Sequence, residues 1–126
     1  MNSEAANIFA IALEKDAEDH EAGRFRNIGS NWDRVYGEIL PIENDVENPL
    51  YRMSFRFWDD WCDASNHDWN YHNPINKDQW PNLARELANC LRAKKMPENR
   101  ILLNNFTVEP RVPLIEKIKN VFTKNT

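Results

Sequence analysis

An all-α fold is what this sequence predicts. Its apolar residues recur three and four positions apart over most of the chain, Asn, Ser or Asp stands before several of those runs, and only three glycines are set against seven prolines. So few glycines leave little room for the φ > 0 positions that hairpin turns need, whereas proline suits the first turn of a helix. A chain of 126 residues can bury one core, so 1–126 reads as a single compact helical domain of five or six helices. Fourteen aromatic residues, five of them Trp, make that core aromatic-rich.

Asn2 or Ser3 caps a first amphipathic helix over 3–15, with Ile8, Phe9, Ala12 and Leu13 on neighbouring turns. The polar run from Lys15 to Glu21 either extends it or forms a loop towards Gly23. Ser30 reads as the cap of a second helix, in which Trp32, Val35, Tyr36, Ile39 and Leu40 follow the i, i+3, i+4, i+7, i+8 rule until Pro41. Asn48 and Pro49 supply a cap and a first-turn proline for a third helix. Along it Arg52, Arg56, Asp59, Asp60 and Asp63 form one polar stripe, and Phe, Trp, Leu, Met and Cys surround the rest. Tyr51 to Phe57 also alternates with the period of a strand, but the stripe continues past residue 57 where the alternation stops, which favours helix.

Asn66 to Asn76, with Pro74, reads as an ordered loop held by Trp69 and Tyr71. Asp78 then caps a fourth helix that tolerates Pro81 in its first turn and carries Leu83, Ala84, Leu87, Ala88 and Leu91 as its apolar stripe. Pro97 opens a shorter helix containing Ile101, Leu102 and Phe106, and Leu114, Ile115, Ile118, Val121 and Phe122 define a last one. The third and fourth helices are expected to form the aromatic core.

The formal charge of −4 is unevenly spread: residues 1–80 carry −9 and residues 81–126 carry +5. An acidic majority repels phosphates, so no nucleic-acid partner is expected there, and the basic C-terminal part is too interrupted by Leu and Ile to be a nucleic-acid arm. No apolar run approaches bilayer length and the N-terminus has no basic region ahead of an apolar one, which points to no membrane partner and a cytoplasmic location. Cys62 and Cys90 lack metal-ligand spacing and are expected as buried thiols, paired only if their helices lie side by side. No cofactor is implied, since glycine-rich phosphate loops are absent.

The densest stretch chemically is Phe57 to Trp69, with three tryptophans, four aspartates and a histidine in thirteen positions. Three readings compete for it. A protein-binding module, such as an immunity-type inhibitor of a basic partner, would use Glu43, Asp45, Glu47, Asp59, Asp60, Asp63 and Asp68 to steer association and Trp69 as an aromatic anchor. A metal-assisted hydrolase would instead use Asp59, Asp63, His67 and His72, although no established ligand spacing is present. A self-assembling structural protein would use the apolar sides of its helices. No catalytic residue is assigned, because His67 has no partner nucleophile and Ser54 and Ser65 lack a nucleophile-elbow context. Trp58 and Trp61 are expected to pack inside, and Trp69, in a polar loop, to keep an exposed face.

The run Phe57-Trp58-Asp59, Trp61, Asp63-Ala64, Asn66-His67 and Trp69, followed by Trp80-Pro81, Leu83-Ala84-Arg85 and Leu87-Ala88, resembles a group of small bacterial proteins with no activity attached to them. The resemblance spans Phe57 to Leu91, a quarter to a third of the chain. It implies a bacterial origin and helical structure, and brings no catalytic residues with it.

Overall fold

A computed structural model of the chain describes residues 1–70 and 75–108. Five α-helices run in the order α1 (Ser3–Glu21), α2 (Trp32–Ile39), α3 (Pro49–Asn66), α4 (Trp80–Ala93) and α5 (Arg100–Phe106), with 3-10 turns at Phe25–Asn27 and Lys77–Gln79. No strand occurs among the described residues, so the helical reading of Tyr51 to Phe57 holds. The last helix expected around Leu114 to Phe122 lies outside the described residues, as do Tyr71, His72 and Pro74.

The helix over 3–15 does not stop there: α1 opens on Asn2, whose side chain accepts the Ala5 N–H at 3.1 Å, and continues to Glu21 through the whole polar run. One stripe, Asn7, Ile11, Lys15, Glu18 and Glu21, faces solvent, and five alanines are among its inward residues. Those small side chains let α4, with its own Ala84 and Ala88, approach closely. Arg85 pairs with Glu21 and Arg92 with Glu14 and Asn7, in reversed order along the chain, so α4 runs antiparallel to α1. Toward α3 the spacing is set by large rings instead. Trp58 meets Asp16 and Trp61 meets His20, in the same order along both helices, so α3 runs parallel to α1.

The third helix serves two sides. On one, Phe55 and Trp58 lie 4.4 and 5.6 Å from Phe9 of α1. On the other, Phe57 sits 5.3 Å from Trp80 and 5.2 Å from Phe106, and Trp61 stacks on Trp80 with the planes 3° apart. Such ring pairs add about 0.5–1.5 kcal/mol beyond area burial. The aromatic core therefore joins α3 to α4 as expected, and it extends to Phe9 of α1 and Phe106 of α5. The alanines of α1 let α4 come close, while α3 fills the remaining space with rings.

Local signals for the helix starts fell within about three residues of their expected places. Asn48 caps α3 through its side chain, which accepts the Leu50 N–H at 2.9 Å. Ser30 caps nothing: its hydroxyl donates to the Asn27 carbonyl at 2.9 Å, and α2 starts after Asn31. Asn76 and Gln79, rather than Asp78, form the reciprocal cap ahead of α4. Pro97 is buried before α5, which Asn99 caps by accepting from Ile101 at 2.8 Å. Gly29, at φ +75°, is required twice over, since a Cβ there would also lie 2.9 Å from Cys62 Cβ on α3. Cys62 and Cys90 are unpaired and half-buried rather than fully enclosed.

Candidate functional site

Helical spacing brings Asp59, Asp60 and Asp63 together on α3, each with an oxygen within 4.8 Å of the others. They are not equivalent. Asp59 is exposed and Asp63 half-exposed, but Asp60, expected on the partner-binding surface, is instead turned inward, where its Oδ2 lies 3.1 Å from Arg56 Nε. The trio stands in the C-terminal half of α3, the negative end of the helix dipole, and no basic residue occupies the last turn. Burial and the neighbouring carboxylates Asp63 and Asp60 push Asp59 above the ordinary aspartate range despite Arg56. A group so placed gains from an added positive charge.

Asp59 also borders an open hollow of about 520 Å³ between α2 and α3, lined by Trp32, Asp33, Phe55 and Arg56 as well. Trp32, Tyr36 and Phe55 form a half-buried aromatic group, with ring centroids 4.8 Å apart for Trp32 and Phe55 and 5.4 Å for the stacked Trp32 and Tyr36. The Trp32 indole N–H is buried without an acceptor among the described residues, which costs about 1–3 kcal/mol in the chain alone. Glu47, paired with Arg52 at 3.5 Å, stands at the neighbouring hollow beyond Phe55.

Sequence spacing counted Trp32 and Tyr36 as core residues of α2. The signal that sets them apart is that α2 spans only two turns, too short to bury a full face. The other expected surface residues scatter. Glu43 is withdrawn from any surface: it is 7 % exposed and accepts from the Asn2 N–H at 2.8 Å, the Tyr51 hydroxyl at 2.5 Å and the Asp45 N–H at 3.3 Å. Asp45 is exposed and accepts from Asn48 at 3.3 Å. Asp68 and Trp69 follow α3, both at positive φ, and Trp69 keeps the partly open face expected of it while Trp58, Trp61 and Trp80 are buried. Its ring nevertheless rests on His20 and Phe25, with centroids 4.8 and 5.2 Å away, far from the anchoring role assigned to it. His67 ends α3 through its main chain and is not part of the carboxylate trio, and His72 lies outside the described residues.

The polar run of α1 holds what sequence reasoning missed. Asp19 is buried against Arg24, at 2.8 Å, and Asn27. Burial alone would raise its pKa, but those two hydrogen bonds, with the Lys15 and Arg24 charges, carry it below the usual range. Asp16 is 0 % exposed; its Oδ2 accepts from the Gly29 N–H at 2.9 Å and the Trp58 indole at 2.5 Å, while Oδ1 has no donor among the described residues. Here burial wins and the pKa is raised, with the two hydrogen bonds only partly offsetting it. A carboxyl raised in the folded state stabilises fully below its unfolded pKa of about 3.9 and loses that contribution as pH climbs through the folded value. Asp16→Asn keeps an acceptor and removes the ionisation. Its urea midpoint is therefore expected to gain on the parent between about pH 4 and pH 7. A pH-independent difference would show that Asp16 ionises as it does in the unfolded chain.

No family model matches the chain, and neither a curated protein nor a solved structure matches it.

Proposed function

We propose that the chain is a protein-binding module that takes a basic partner on the α2–α3 face, in the manner of an immunity-type inhibitor. One observation carries this reading: Asp59 belongs both to the carboxylate trio and to the wall of the aromatic hollow, so a negative site and an apolar anchor site are contiguous. Interfaces draw most of their energy from an aromatic or apolar anchor in a desolvated centre, with surrounding charge setting approach and orientation. A partner Arg or Lys set against Asp59 and Asp63 would relieve their mutual repulsion and the unfavourable dipole, and its aliphatic stem would cover Phe55 and Trp32. The −9 charge of residues 1–80 adds long-range steering toward a cationic surface.

Capture from lysate on the immobilised chain tests this, with the Asp59→Lys/Asp63→Lys pair and Trp32→Ala as comparison baits. A captured basic protein whose affinity falls on the order of thirtyfold for each bait, the effect of losing a hot spot of about 2 kcal/mol, supports it. Undiminished capture by the charge-reversed bait, or capture of an acidic protein, would overturn it. The carboxylate trio favours a metal-assisted hydrolase as the second reading, because three oxygens so close suit a hard divalent cation. It ranks second because the trio contains no imidazole from His67 and its Asp60 is bound to Arg56.

A further inference from the structure

We infer that His20 is a proton-operated latch, which holds the Asp68–Trp69 pair at the end of α3 in place while the imidazole is neutral and releases it when the ring is protonated. The ring is 5 % exposed and lies in a cage of Phe25, Trp61 and Trp69, with centroids 5.0, 5.7 and 4.8 Å away. Its Nδ1 accepts the Trp61 indole N–H at 3.2 Å. An indole N–H can only donate, so Nδ1 must be bare and the ring neutral with its proton on Nε2. A proton added at Nδ1 would face the indole N–H donor to donor. It would also place a second cation beside Lys77, whose ammonium already lies 4.5 Å over Phe25 and 5.9 Å over Trp69.

Charged groups facing the ring are Glu21 from α1 and Lys77 and Asp78 from the turn before α4; the neighbours from α3 and from the Phe25 turn are aromatic. Burial first, and Lys77 second, hold the imidazole below the ordinary histidine range against the pull of Asp78 and Glu21.

What the latch restrains is under strain. Asp68 and Trp69 are consecutive non-glycine residues at φ 52° and 68°, a conformation costing roughly 1–2 kcal/mol per residue. Beyond the Trp69 N–H, which donates to the Ala64 carbonyl at 2.7 Å, the Trp69 side chain rests on His20 and Phe25. Loss of the neutral imidazole removes the centre of that packing and frees the strained pair to relax. A histidine lowered in the folded state stabilises fully above its unfolded pKa of about 6.5, and that contribution is lost as pH falls toward the folded value. The latch is therefore closed at neutral pH and opens in acid.

Tryptophan emission of the full chain carrying Asp16→Asn, which silences the carboxylate bonded to the Trp58 indole, is followed from about pH 8 to pH 4.5 to test the latch, together with His20→Gln, His67→Gln and His72→Gln in the same background. Expected is a one-proton transition centred below pH 6.5, with a red shift and acrylamide quenching increased at least about twofold as the Trp69 ring is uncovered. It should vanish in His20→Gln and persist in the other two variants. A transition that survives His20→Gln, or flat emission in the parent, would overturn the latch. Should His20→Gln not fold, the imidazole nitrogen resonances of the parent decide: an Nε2–H tautomer titrating below pH 6.5 supports it, and a midpoint at or above that value overturns it.

Discussion

Trp61→Ala is expected to destabilise the chain by about 3–5 kcal/mol, as large-to-small changes at buried aromatics do, which is a large part of the roughly 5–15 kcal/mol that holds an ordinary domain together. Trp61 is fully buried where three elements meet: it stacks on Trp80 of α4, lies 5.7 Å from Phe57 on its own helix, and bonds His20 of α1. Truncation leaves a cavity that the alanine-spaced α1–α4 pair cannot collapse to fill, and orphans His20 Nδ1 as well. Trp61→Phe separates the two losses. It keeps most of the ring and sacrifices the N–H, so about 1–2 kcal/mol is expected. Urea unfolding followed by circular dichroism measures both; a Trp61→Ala cost under about 1.5 kcal/mol would mean that the rings around it are loosely packed.

Glu43→Ala should cost about 3 kcal/mol of stability and leave partner binding unchanged. The carboxylate accepts from Asn2 ahead of α1, from Tyr51 in α3 and from Asp45 in the connector, so one side chain ties three segments. Removing it strands three donors, two of them main-chain N–H groups. Burial raises its pKa, yet the bonds from Tyr51, Asn2 and Asp45 outweigh that and hold it below the ordinary glutamate range. Burial and the same carboxylate push the Tyr51 hydroxyl upward. A lowered carboxylate stabilises above its unfolded pKa of about 4.3 and loses its contribution as pH falls through the folded value. The parent should therefore lose its advantage over Glu43→Ala in acid. If the variant instead melts like the parent and binds its partner more weakly, Glu43 belongs to the interaction surface after all.

The two residues show where sequence reasoning reaches and where it stops. Glu43 sits in an acidic connector, Glu43 to Asn48, whose composition is that of a solvated loop; nothing within it announces that Tyr51, eight positions on, turns a hydroxyl toward it. Likewise Asp16, Asp19 and His20 read as the polar end of a helix or the start of a loop, because periodicity assigns polar residues to water. Two of them face tryptophans about forty positions away, and a polar group is stable inside only when such a partner arrives. By contrast α3 was legible but for the inward turn of Asp60: Asn48, Pro49 and the stripe from Arg52 to Asp63 are local signals, and local hydrogen bonds and helical geometry are enough to act on them. The carboxylate trio was legible for the same reason, being a consequence of 3.6 residues per turn. Its neighbour across the hollow, Trp32, was not, since the distance from α2 to Phe55 depends on how two helices dock.

The sequence by itself determined the helical class, the five described helix starts to within about three residues, the carboxylates Asp59 and Asp63 on the outer edge of α3 and the inward turn of Trp58 and Trp61. Those follow from capping, periodicity and hydrophobicity, which act over a few residues. Only the tertiary structure decided that α1 packs closely on α4 through its alanines, that Asp16, Glu43 and His20 are interior groups, and that Asp59 stands beside an aromatic hollow. Each of these depends on which side chain from a distant segment supplies the missing hydrogen bond or fills the adjoining space, and no local pattern encodes that.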